Sequence, residues 1–339
     1  MGDDQQVAPA SSQRYSQEGG GRIRARHLVL LLLTLKAEEG ATSPGRDFVA
    51  GGACPSKATI PGKTVIVTGA NTGIGKQTAL ELAKRGESAN GAPGKHLPGA
   101  SAPSSLAAVL RRRGRLSPVC PCPRFPEEEH VHILINNAAV MRCPHWTTED
   151  GFEMQLGVNY LGHFLLTNLL LDKLKASAPS RIINVSSLAH VAGHIDFEDL
   201  NWEKKNYDTK AAYCQSKLAV VLSTKELSRR LQGTGVTVNA LHPGVARTEL
   251  GRHTGMHRPI FWLLVKSPQL AAQPSVYLAV AEELEGVSGK YFDVLKEKPP
   301  APEAEDEEVA KRLWAESVRL VGLEMSHGSH GERGQPLPK

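Results

Sequence analysis

Tyr213 and Lys217 stand four residues apart in "AAYCQSKLAV" (211–220), a stretch otherwise made of small and apolar side chains. On a helix, positions i and i+4 share a face, so a phenol and an ammonium would reach the same small molecule. A phenol titrates near pKa 10, too high for proton exchange at neutral pH. An adjacent ammonium, and the positive ring of an oxidised nicotinamide, would both favour the phenolate and bring that value down. Alone, the spacing is common and reads first as an ordinary surface pair. The run "INVSS", ending in Ser186 and Ser187 some 26 residues before the tyrosine, favours the chemical reading. Carboxyl ends of parallel strands face a ligand crevice, so one of the two hydroxyls would stand beside Tyr213. The same serines would also suit a helix cap or turn.

A second cluster is "TGANTGIG" (68–75), with Gly69, Gly73 and Gly75. Glycines there permit a tight turn and a close backbone approach to a pyrophosphate, whose charge would meet free N–H groups at a helix start. The spacing differs from the usual GxGxxG, and many strand–helix turns need glycine for backbone freedom alone. Context decides for nucleotide binding, because a β-branched strand precedes the cluster and helix formers follow it.

The elements that must position these groups alternate along the chain. "TVIVT" (64–68) reads as a buried parallel strand, "KQTALELAKRG" (76–86) as a helix stopped by Gly86, and "VHILINNAAV" (131–140) as a strand. Residues 147–177 read as a long helix entered through a capping pattern at Thr147–Asp150 or Thr148. Strands follow at 181–187, 235–244 and 289–294, with helices at 209–233, 268–284 and 305–323. The class is α/β, a doubly wound parallel sheet of Rossmann type. Residues 1–60 read as a largely disordered N-terminal extension, 61–295 as the Rossmann-type domain, and 296–339 as a terminal helix and tail.

Residues 87–126 break this pattern with seven prolines, four glycines and one acidic residue. A central strand is implausible there because proline removes ladder donors, so the span reads as an atypical insert or loop with at most a short helix at 104–113.

TGANTGIG, NNAAV, VNYLGHF, INVSS, YCQSK and HPGVART, in this order, resemble the short-chain dehydrogenase/reductase superfamily. The wording around them is similar to the retinol dehydrogenase group, over 47–86 and about 128–323. The resemblance implies Tyr213 as the acid/base for the alcohol or carbonyl oxygen and Lys217 as its tuning cation and ribose ligand. It makes Ser187 the holder of the substrate oxygen and Asn159 the residue that positions a relay water. Cofactor contacts would come from Gly69, Asn71, Thr72, Gly73, Ile74, Gly75, Asn137, Lys217, Pro243, Gly244 and Thr248. It further implies hydride exchange between a nicotinamide and a lipophilic alcohol or aldehyde such as retinal. NADP is the expected cofactor, with NAD open, and the expected location is the inner mitochondrial membrane or endoplasmic reticulum.

This chain departs from the family pattern in two places. Ala139 stands where the family carries glycine, which would cost stability or affinity if the backbone needs that freedom. Residues 87–126 stand where the family has its second and third strands, which leaves both strands in doubt. The residue that selects NAD or NADP lies about 20 positions beyond the glycines, near Lys95 and His96, where no strand is expected. Arg111–Arg113 are therefore given no role. The alternative is a catalytically inactive dinucleotide-fold variant without a complete adenosine pocket.

Composition excludes little else. A net charge of +5 over 339 residues, with basic residues scattered except at "RRRGR" (111–115), gives no nucleic-acid footprint. Five cysteines form neither zinc spacing nor a disulfide framework. His163, His190, His194 and His242 show no compact ligand spacing, so no metal is expected. The apolar run "LVLLLLTL" (28–35) falls short of the ~20 residues a bilayer span needs, and "KAEEG" follows it where a secretory signal would carry small residues, so disorder or peripheral membrane contact is favoured over a cleaved signal or anchor. "PIFWLLV" (259–265) could line an apolar entrance, and a homodimer stays open.

Overall fold

The computed structural model describes residues 52–86, 106–107, 129–246, 248–253 and 266–323. The runs at 28–35, 111–115 and 259–265 lie outside these residues. Seven strands form one sheet: β1 (Val65–Val67), β2 (Leu106–Ala107), β3 (Ile133–Asn136), β4 (Ser180–Val185), β5 (Val236–His242), β6 (Tyr291–Asp293) and β7 (Lys296–Lys298). Their spatial order is β2-β1-β3-β4-β5-β6-β7. All neighbours are parallel except β7, which turns back on β6.

Helices cover both faces. One face carries α3 (Gly162–Ala176), α4 (Thr209–Arg230) and α6 (Glu307–Leu320), which pack Phe164, Leu218, Leu222 and Trp314 over Leu134, Ile182 and Val238. The other carries α1 (Gly73–Gly86) and α5 (Pro268–Val280), which set Leu82 and Val276 against Val67, Ile135 and Leu241. Burial on both faces is why the strands read as continuous apolar runs rather than alternating ones. Upstream, Arg85 Nη1 donates to the carbonyls of Ser56 (2.8 Å) and Ala58 (3.2 Å), and Ile60 enters the core, so residues 54–60 pack on the domain.

Three sequence expectations need correction. At 104–113, where only a short helix was expected, Leu106–Ala107 is a strand paired with Val65 and Ile66. It takes the second-strand position at the described edge of the sheet, where an otherwise unpaired strand β1 would leave backbone groups unsatisfied.

The second concerns the long helix, which starts not at Thr147 but at Met154 (α2, Met154–Leu156). The buried Glu153 carboxylate caps it by accepting from Gln155 N (2.8 Å) and Leu156 N (2.7 Å). Thr147 and Glu153 instead bridge across a turn in which Gly151 has φ +86. Finally, β7 was missed, since its residues are all exposed and carry no apolar pattern.

Candidate active site

With β2 on one side of β1 and β3 on the other, the chain switches direction between β1 and β3, and a crevice opens at their carboxyl ends. Thr68, just past β1, ties the two ends together. Its Oγ1 accepts the N–H groups of Asn137 (2.8 Å) and Ala138 (2.9 Å), while Asn137 Nδ2 donates back to the Thr68 carbonyl (2.9 Å).

The same hydroxyl lies 2.8 Å from His163 Nε2, and His163 Nδ1 lies 3.2 Å from the Asn159 carbonyl. A carbonyl only accepts, so the ring proton sits on Nδ1 and Thr68 donates to Nε2. Burial, reinforced by Lys217 and opposed by the Asn159 carbonyl, pushes His163 down to about 4.

The glycine turn fits against this tie. Gly69 (φ +68) and Gly73 (φ +56) take the left-handed backbone that other residues avoid. A Cβ on Gly75 would lie 2.4 Å from both Asn137 Nδ2 and the Gly69 carbonyl. A Cβ on Gly73 would reach Thr248 Cγ2 at 3.2 Å. Three separate stretches of chain thus bring Gly69, Gly73, Gly75, Asn137 and Thr248 together. Asn71 and Thr72 sit exposed on the crest, and Ile74 is half-buried in the first turn of α1.

The N–H groups that open α1, next to the Thr248 side chain, form a donor set suited to a pyrophosphate. A Cβ at Gly69 or Gly75 would collide with Ala138, Asn137 or the Gly69 carbonyl, and one at Gly73 would crowd Thr248, so the turn keeps this shape only with glycine, and the shape fits a dinucleotide. Gly75→Ala is expected to weaken dinucleotide binding by about 5- to 100-fold, the 1–3 kcal/mol that overpacking typically costs. Titrating NADPH against intrinsic protein fluorescence checks this.

Pro243 and Gly244 (φ +88) carry the chain off the end of β5, with the Lys266 side chain against Gly244. Ala139 has negative φ, unlike Arg142, Trp202 and Val294, so its backbone does not require glycine.

The candidate reacting groups gather at the ends of β4 and within α4. Lys217 is 2% exposed, and its Nζ donates to the Val185 carbonyl (3.0 Å) and lies 5.8 Å from the Tyr213 ring centroid. Burial lowers its pKa to about 8. Tyr213, itself buried, is pushed up to about 12 by desolvation, and a hydrogen bond with Ser187 pulls the other way. The expected downward shift from Lys217 is therefore not what sets this phenol in the protein alone, where burial outweighs every other influence.

The pair of serines is now resolved. Ser186 Oγ donates to the Lys217 carbonyl (2.8 Å), whereas Ser187 faces Tyr213. Ser187 also caps a short turn at Leu188–Ala192 by accepting from Ala189 N (3.2 Å), so it caps and faces the tyrosine together.

Asn159 sits in a widened helical turn, Gly157–Leu161, of a kind frequent at functional sites. Its Oδ1 accepts from Val140 N (2.8 Å), and its Nδ2 donates to Val140 O (3.0 Å) and Ser216 Oγ (2.9 Å). The amide is thus largely committed to protein partners. Sequence reasoning missed Thr68, His163 and Ser216. Only Thr68, wedged between a strand and the glycines, offered a signal.

Among the described residues no group of three or more His, Cys, Asp or Glu side chains could hold a metal. His194 pairs with Glu303 (3.2 Å), and His190 bonds the Ser187 carbonyl and Ala301 N.

Comparison with known proteins agrees with this geometry. Residues 126–258 match the short chain dehydrogenase family. The chain is 72% identical over 320 residues to retinol dehydrogenase 13 of Mus musculus, covering 88% of this chain and 96% of that protein. To retinol dehydrogenase 12 of Homo sapiens it is 50% identical over 293 residues, covering 82% and 92%.

Among solved structures, an uncharacterised protein from Mycobacterium paratuberculosis superposes with TM-score 0.61 at 33% identity, covering 80% of this chain and 98% of that one. A gluconate 5-dehydrogenase from Burkholderia cenocepacia, solved with NADP and tartrate, shares the fold at TM-score 0.52 and 21% identity, covering 70% and 94%. With a glycine cradle at one end of the crevice and Ser187, Tyr213 and Lys217 at the other, the chain belongs to the short-chain dehydrogenase/reductase family of oxidoreductases.

Proposed function

We propose that the protein is an NADP-dependent oxidoreductase that interconverts retinol and retinal, or similar lipophilic alcohols and aldehydes, and runs chiefly toward carbonyl reduction. The observation that carries this reading is the buried Tyr213 phenol, with the Lys217 ammonium 5.8 Å from its ring centroid and Ser187 opposing the rise in its pKa. The substrate class draws on the names of the similar proteins, and the NADP preference on the family resemblance. NADPH, when bound, supplies the hydride.

The chain does the rest. Ser187 holds the carbonyl oxygen of the substrate, and Tyr213, with a pKa near 12, stands protonated and hands its proton to that oxygen. Lys217 then faces the phenolate left behind and stabilises it through a dry interior, where charge interactions are strong. Asn159 ties the Val140 backbone, past β3, to Ser216, the residue before Lys217 on α4. Gly69, Gly73 and Gly75, with Asn137, Pro243, Gly244 and Thr248, shape the dinucleotide cradle. On this reading the enzyme works at a membrane, inner mitochondrial or endoplasmic reticulum, where a lipophilic aldehyde partitions. Among the described residues no helix is long and apolar enough to cross one.

Purified protein given NADPH and all-trans-retinal should oxidise NADPH, with NADH in a parallel arm giving a lower rate. Equal rates from wild type and Tyr213→Phe would refute the reading and leave the inactive dinucleotide-fold variant in its place.

A further inference from the structure

We infer that His190 is a positioning residue for Ser187, and that the backbone N–H of Ala301 sets the ring tautomer with which it does so; the catalytic part of this rests on the function proposed above. His190 Nδ1 lies 2.8 Å from the Ser187 carbonyl, and the Ala301 N–H donates to Nε2 at 3.0 Å. The ring is 1% exposed and packs on Tyr291 with centroids 4.6 Å apart.

Only one arrangement of protons satisfies both bonds. Ala301 N–H can only donate, so Nε2 must be bare. The Ser187 carbonyl can only accept, so Nδ1 must carry the hydrogen. A donor contributed from the C-terminal part of the chain therefore fixes the residue that holds Ser187's main chain.

That part of the chain is held to the same turn twice more. Glu303 accepts from Ile195 N at 3.0 Å and pairs with His194. The main chain of Ser187 is extended (φ −157, ψ 156), and its carbonyl also accepts the His190 N–H at 3.1 Å. Two donors from one residue thus grip the carbonyl immediately behind the hydroxyl that meets Tyr213.

Protonation would break this arrangement, since imidazolium would aim a second N–H at the Ala301 N–H. Burial already lowers the His190 pKa, so the contact is intact above the ordinary histidine range and is lost as pH falls through that lowered value. The titratable groups on surrounding elements are Tyr291 on β6, His242 on β5, Tyr213, Cys214 and Lys217 on α4, and Glu303 on the C-terminal turn.

Ala301 offers a clean test because its backbone (φ −58, ψ 147) already suits proline, which lacks only the donor. ¹⁵N resonances of the full-length protein should show His190 as the Nδ1–H tautomer at pH 7.5. In Ala301→Pro, where Nε2 no longer meets a donor and only the Ser187 carbonyl holds the proton on Nδ1, the Nε2–H form should gain population. With NADPH and retinal, kcat in Ala301→Pro and His190→Phe should fall by about tenfold to a hundredfold, as small misplacements of reacting groups do.

NADPH affinity should stay level in both. His190→Asn, whose Nδ2 can stand where Nδ1 stood, should recover most of kcat. An Nε2–H tautomer in the wild type overturns the proposal. So does a His190→Asn variant as impaired as His190→Phe, which also serves as the test if Ala301→Pro fails to fold. The tautomer reading needs no turnover, so it stands apart from any failure of retinal as substrate.

Discussion

Tyr213→Phe is expected to lower kcat for carbonyl reduction by about 10²- to 10⁴-fold, the range that a positioned proton donor contributes, while NADPH affinity changes little. The substitution removes one oxygen from a side chain that is 6% exposed, and the ring keeps its packing. The phenol lies across the crevice from the glycine cradle and contributes nothing to the turn at Gly69–Gly75. Stopped-flow NADPH oxidation with retinal, paired with fluorescence titration of NADPH, separates the two quantities. A variant retaining a tenth or more of wild-type kcat would remove Tyr213 from the chemistry.

The pH dependence carries a sign. Burial holds Tyr213 near 12, so the proton-donating form persists throughout neutral pH, whereas Lys217 begins to lose its charge near 8. Reduction should be level up to about pH 8 and decline above it. Alcohol oxidation, which needs the deprotonated phenol, should instead rise with pH.

Lys217→Met is expected to make a slower and more stable protein. Loss of the ammonium should cost about 10²- to 10³-fold in kcat, as loss of a preorganised charge does elsewhere. The stability effect has the opposite sign. Folding lowers the Lys217 pKa from 10.5 to about 8 because the charged form is desolvated. That shift corresponds to about 3 kcal/mol of destabilisation, against which the bond to the Val185 carbonyl returns about 1.

Met fills a similar volume without charge, so a net gain of about 2 kcal/mol at pH 7 is expected. In the wild type without cofactor, the penalty is full below pH 8 and fades as pH rises toward 10.5, because the unfolded chain holds the proton longer. Urea unfolding at pH 7 and pH 10 reads both effects. A variant less stable than wild type at pH 7 would show that the ammonium is paired by something other than Val185.

The alternation of strands and helices was legible because buried parallel strands write themselves as unbroken apolar runs, as in "VIV" and "ILIN". The candidate reacting residues stood out for a different reason, since each is an unusual residue type at a strand end or within an apolar helix. Helix entry was misread at Thr147 because a capping spacing recurs by chance in turns, and only tertiary structure shows that Glu153 holds the N–H groups. Leu106–Ala107 could not be read, because two residues carry no periodicity and their pairing comes wholly from β1.

The electrostatics were the least legible. Sequence shows that Lys217 neighbours Tyr213, yet burial, which spacing cannot report, sets both pKa values. Nor does local spacing connect His190 with Ala301, 111 positions away.

The knot formed by Thr68, Asn137, Ala138 and His163 has a bearing on how the enzyme should be assayed. Burial pushes its single ionisable member down to about 4, so this knot stays neutral across the range in which assays are run. A rate profile measured between pH 6 and 10 then reports on Tyr213 and Lys217 with no contribution from His163 changing charge.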